Sequence, residues 1–261
     1  MRTTELTRPT ELPLLERLAA DRATGALLRD GGTLFLSDGA VVHAESDAAP
    51  GLDVLLTTTG RLPAERWQEA VDRAGAHCRV GRHLVDSGSL GDGELEICHL
   101  NALFDAAYFA LAPSDGPTRF RQGAVHWLGP IRPVRAEHVA RESRRRRDLL
   151  DGLWPWPAVD TSPVTRHPSA RAPAVPHRQR AVLELADGLR TPDRIARLLG
   201  RPAFHTLIDV RRLAAAGHIR TPHASEPPPA PHPVPDWVAD LSADPDIALL
   251  RRLRDALEAR L

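Results

Sequence analysis

Short apolar runs broken by tight-turn dipeptides fill residues 25–45, whereas helical apolar spacing governs most of the chain beyond them. Gly31-Gly32 and Asp38-Gly39 supply the positive φ that two-residue hairpin loops need, so 25–30, 33–37 and 40–45 are expected as three strands of an antiparallel meander. A short helix is expected before them, at 14–20. Helices should come next at 51–58, at 63–74 with Pro63 in the first turn, and at 92–111. In the last of these, Leu95, Cys98, Leu103, Ala106, Ala107 and Leu111 recur at helical spacing. Strands are expected again at 117–122 and 124–128, before a charged helix at 135–150.

From residue 178 the pattern becomes three short helices and a strand. Val182, Leu183, Leu185 and Ala186 stripe the first, and Asp187-Gly188 stops it. Thr191-Pro192-Asp193 opens the second with a capping residue, a first-turn proline and a first-turn acid, and Gly200 ends it. Pro202 opens the third, with Phe204, Leu207, Ile208, Val210 and Leu213 facing inward, and Gly217-His-Ile-Arg leaves it extended. A last helix carries Ile247, Leu250, Leu253, Leu257 and Leu261 on one stripe, behind the start signal Asp244-Pro245-Asp246. One such stripe cannot bury itself, so it is expected to dock on the rest of the chain, on a second copy, or on a partner.

Thirteen of the 24 prolines fall in two windows, 155–176 and 222–235, which lack hydrophobic periodicity. Pro-rich stretches of this kind behave as extended spacers. The expected division is therefore a domain at 1–153, a linker at 154–177, a compact module at 178–223, a linker at 224–235 and an amphipathic helix at 236–261. Charge separates along the same cuts: the formal total is zero, yet 178–223 holds nine Arg against four acids, a net +5 between acidic neighbours.

All 34 cations are Arg. Without lysine there is no P-loop, no kinase strand lysine and no Schiff-base amine for a pyridoxal cofactor. With two cysteines, a charged first thirty residues and no long apolar run, neither a disulfide framework, a leader nor a membrane span is expected, and the cytoplasm is the expected compartment. His77-Cys78 and Cys98-His99 lack zinc-ligand spacing, and no esterase elbow, metalloprotease helix or dinucleotide fingerprint is present. Neither catalysis, a cofactor nor a metal is expected. The run Arg144 to Arg147 is expected as a solvated helix face with one or two guanidiniums tied to local acids.

The residues Gly25-x-Leu27 and Leu34-Phe-Leu-Ser-Asp-Gly39-Ala-Val-Val-His-Ala44 resemble the opening meander of PATAN domains, also called DUF4388. Phe104-Asp-Ala-Ala-Tyr-Phe109 with Thr118-Arg-Phe120 is similar to that family's later helix and strand, and 142–148 to its closing Arg-Arg helix. The helical hairpin at 61–93 departs from the pattern as an insertion. The resemblance implies a non-catalytic signalling or interaction domain of bacterial regulatory proteins. The 178–223 segment resembles bacterial winged helix-turn-helix modules, with Val210 to Ile219 matching their common ending.

The fold expected is α+β: a PATAN-like antiparallel meander with packed helices, a small winged-helix module and a C-terminal amphipathic helix. The function expected is a transcriptional regulator contacting duplex DNA through His205, Thr206, Arg211, Arg212 and Arg220. Asp209 on the same face, and the absence of a second wing strand, keep a protein–protein adaptor without DNA binding as the alternative. There Ile247, Leu250, Leu253 and Leu257 would meet a signalling protein or a second copy.

Overall fold

At Asp38-Gly39 both residues take positive φ, 51° and 78°, which turns β2 (Gly32–Ser37) tightly back onto β3 (Ala40–Glu45). The preceding hairpin, from β1 (Gly25–Arg29) into β2, turns at Asp30-Gly31, one residue earlier than the Gly-Gly pair suggests. Gly32 belongs to the strand, where a Cβ would collide with the Glu45 carbonyl oxygen. With β4 (Arg119–Gln122) and β5 (Val134–Arg135) on the outside, the sheet order is β4-β1-β2-β3-β5, antiparallel at every pairing.

This computed structural model describes residues 12–168 and 175–221, all within one compact unit. The expected C-terminal helix, with Ile247, Leu250, Leu253 and Leu257, lies outside the described residues. No helix among the described residues is long and apolar enough to cross a membrane.

One sheet face, carrying Leu27, Leu34, Leu36 and Val41, is buried against α1 (Leu12–Ala20), α5 (Asp92–Ala110) and α6 (Ala136–Leu153). Each fully buried leucine there contributes about 2 kcal/mol of transfer free energy. A second core joins α2 (Leu52–Thr57), α3 (Ala64–Ala74) and α4 (Val80–Asp86) to the first half of α5 through Leu56, Leu62, Val80, Leu84 and Leu95. The helical hairpin expected at 61–93 is thus an apolar cap on the start of α5. Residues 124–128, expected as a strand, form a loop instead. Gly123, at φ 75°, bonds the Thr24 carbonyl through its N–H and turns the chain off the sheet edge.

The third core gathers α7 (His177–Glu184), α8 (Pro192–Leu199), α9 (Ala203–Ala215) and β7 (Ile219–Arg220). Val159 and Val164 belong to it, although they lie in the stretch whose prolines suggest a spacer. Pro157 begins a short 3-10 turn, and β6 (Thr165–Arg166) pairs antiparallel with β7. Proline fixes φ and removes a donor, but leaves its neighbours free to bury apolar side chains. Helix α8 begins after Thr191 with Pro192 first and ends on Gly200 in the left-handed region, as the sequence leads one to expect. The Thr191 hydroxyl donates to the Asp193 carboxylate rather than accepting a backbone N–H. A fourth cluster, Tyr108, Leu150, Phe204 and Leu207, seals α9 against α5 and α6.

Candidate functional site

Strand β3 pairs with β5 only at Ala40 and Val41, and beyond that point its outer edge faces a cavity of about 350 Å³. The walls include His43, Glu45 and Asp47 from the strand and its exit, Asp53 at the start of α2, Trp67 of α3, His126 and Trp127 of the loop, and Arg197 of α8. Arg197 donates to the Ala49 carbonyl at 3.2 Å and to the Asp47 carbonyl, so the third core's own helix closes one side.

A β-bulge aims the strand's polar residues. Phe35 pairs with His43 and Leu36 with Val41, leaving Val42 as the extra residue without a partner in the register. Val41 and Ala44 join the sheet core, and the alternation past the bulge turns His43 and Glu45 away from it. The Val42 carbonyl accepts the Nε2–H of the fully buried His99 at 2.9 Å. His126 donates Nε2–H to Glu45 Oε1 at 2.8 Å and accepts the Leu128 N–H at Nδ1, 3.3 Å away. The three rings form a column, with centroids 3.9 Å apart between His126 and His43 and 5.5 Å between His43 and His99. Phe35 packs edge-on against His126 at 4.8 Å.

Burial, reinforced by the neighbouring imidazoles, holds His43 well below the ordinary histidine value. Burial also outweighs the Val42 bond and lowers His99 to about 4. The hydrogen bond from His126 keeps the Glu45 carboxyl below its usual range. At neutral pH, His43 and His99 are therefore neutral rings, and the Nδ1 of His99 is a bare lone pair. The Nδ1 atoms of both are buried with no hydrogen-bond partner. One ligand atom each from His43, Glu45 and His126 lies within 4.8 Å of the others, a set chemically suited to a metal ion.

The residues expected to touch DNA are scattered by the fold. Thr206 is fully buried, and Arg201 donates to its hydroxyl at 3.2 Å. Arg211, 2% exposed, spends its fork on Asp160 at 2.9 and 2.6 Å, on Asp151 at 3.0 Å and on the Trp154 carbonyl at 2.6 Å. His205 is half-buried, and burial pushes its imidazole below the ordinary value, so it carries little positive charge at neutral pH. Arg212 and Arg220 are exposed. Asp209 is buried beside Arg201 and Arg178, at 3.4 and 3.6 Å. In the arginine run, Arg145 and Arg146 tie to Glu142, Arg146 also lies 4.6 Å from the Phe204 ring centre, and Arg147 donates to the Leu111 carbonyl.

The first turn of α9 is closed by a residue 98 positions earlier in the chain. Asp105, fully buried on α5, accepts the N–H of Ala203 at 2.6 Å and of Phe204 at 2.8 Å, where Pro202 has no acceptor of its own to offer. Burial pushes the Asp105 carboxyl up to about 6 against the pull of those two N–H groups. Neither Asp105 nor the set His43, Glu45 and His126 emerges from sequence pattern alone. The chain matches no protein-family model, no curated protein sequence and no solved structure with significance.

Proposed function

We propose that this chain is a non-enzymatic cytoplasmic regulatory adaptor, in which a PATAN-like domain and a winged-helix-like module act as a single body that engages other signalling proteins. The observation that carries the reading is the closure of α9 by Asp105. A helix that reads a major groove presents its N-terminal residues to base edges, and here that turn is capped from within, with Phe204 and Thr206 buried. Arg211, the natural candidate for a guanine or a phosphate, is already committed to two carboxylates. Both cysteines are free thiols, which agrees with a reducing compartment.

A transcriptional regulator is the second reading, favoured by a separate observation: Arg178, Arg180, Arg194, Arg212 and Arg220 are exposed on the module. Such a protein would hold phosphates without inserting α9. Fluorescence anisotropy of labelled duplex DNA with the full chain, at salt from about 50 to 200 mM, separates the two. The adaptor reading predicts no saturable binding at the low end. Binding that weakens steeply with salt would instead assign the module to DNA.

A further inference from the structure

We infer that His43, Glu45 and His126 form a binding site for one divalent transition-metal ion of the zinc class. Their ligand atoms already lie within 4.8 Å of one another, on a bulged strand and on a loop whose positions the fold fixes independently. Tetrahedral zinc with bonds of about 2.0–2.1 Å sets its ligand atoms roughly 3.3–3.4 Å apart. The His126–Glu45 contact of 2.8 Å therefore opens by about half an ångström when a cation replaces the shared proton. The wider separations, up to 4.8 Å, close by as much as about 1.4 Å, and the stacked His43 and His126 rings swing out of parallel so that both lone pairs point at the ion.

The feature that points to a ligand is the incomplete hydrogen bonding. Buried polar atoms are almost always paired, yet His43 keeps a buried Nδ1 with no partner beside a hydrogen-bonded carboxylate–imidazole pair. Behind it, the bulge holds His99 through the Val42 carbonyl and stacks it on His43, which fixes the tilt of the His43 ring. Two imidazoles and one carboxylate with no thiolate suit zinc, nickel, copper or ferrous iron, and suit magnesium or calcium poorly. The adjoining cavity leaves room for water or an exogenous donor in the remaining positions.

Loading carries a signature that a surface histidine would not produce. Once His126 Nε2 binds the ion, a neutral ring must carry its proton on Nδ1, and the Leu128 N–H loses its acceptor. Isothermal titration of the chelator-stripped full chain with zinc chloride should show one equivalent bound, and amide exchange at Leu128 should quicken when zinc is added. His43→Gln and Glu45→Gln should each weaken binding at least about 100-fold, the upper range for losing even a supporting partner of a metal ligand. His77→Gln, at an exposed position, should change nothing. The Glu45 side chain is half-exposed, so Glu45→Gln retains the fold, checked by circular dichroism, and keeps the test decisive if His43→Gln does not fold. Absence of zinc binding, or binding of undiminished affinity in folded Glu45→Gln, would overturn the assignment.

Discussion

At the junction of α5, α6 and α9, both Asp105 carboxylate oxygens accept buried backbone N–H groups, and the Arg211 guanidinium divides its donors among two carboxylates and a carbonyl. At the cavity beside β3, by contrast, the imidazoles of His43 and His99 each keep a buried nitrogen that bonds nothing. Both clusters sit in one compact unit, and both put titratable groups where water is scarce. Burying a charge is costly unless it is paired, and at the junction internal hydrogen bonds offset only part of that cost, leaving the Asp105 carboxyl raised. At the cavity the buried imidazoles are neutral, and their Nδ1 atoms stay unbonded. Matched donors and acceptors, as at Asp105 and Arg211, hold parts together, whereas unbonded imidazole nitrogens beside a cavity can receive a ligand.

The contrast is sharpest in what truncation does. Arg211→Met should destabilise the chain by about 3 kcal/mol in urea unfolding, because Asp160 is left buried without its partner. Asp105→Ala should cost about 2 kcal/mol and speed exchange at the Ala203 and Phe204 amides, which lose their only cap.

Acidity gives a smaller and directional effect. The folded Asp105 carboxyl is raised to about 6, so its contribution to stability is fully present below the unfolded value near 4 and is lost as pH rises through 6. The stability of the wild-type chain relative to Asp105→Asn should therefore fall by up to about 1.4 kcal/mol per pH unit across that window and level off above it. A difference that rises with pH would show that the carboxylate is held as an anion. The smallest effect belongs to the cavity. His43→Leu removes a nitrogen that bonds nothing, so stability without metal should change by less than about 1 kcal/mol. A loss as large as that of Arg211→Met would erase the distinction between the two clusters.

Local signals made most of the fold legible. The Asp38-Gly39 turn, the Pro192 start and Gly200 stop of α8, and the apolar stripe of α5 all act within a few residues of themselves. The long-range polar contacts were not legible in that way, because His126 meets Glu45 across 81 positions and Asp105 meets Ala203 across 98. Hints were present in retrospect. His43 interrupts an apolar strand, Asp105 interrupts the apolar stripe of α5, and Pro202 opens a helix without a capping side chain. Each marked a polar group needing a partner, but none said which. Prolines misled at 154–168, where the apolar spacing of Val159 and Val164 outweighs them, and 124–128 turns into the loop that delivers His126.

Hydrogen exchange on the full chain, monitored by mass spectrometry or NMR with and without zinc chloride, tests the contrast in one experiment. The Ala203 and Phe204 amides should exchange as slowly as the core of α5 whether or not zinc is present, and the Leu128 amide should quicken only with zinc. Fast exchange at Ala203 and Phe204, as in a helix start open to solvent, or a Leu128 amide indifferent to zinc, would contradict the account.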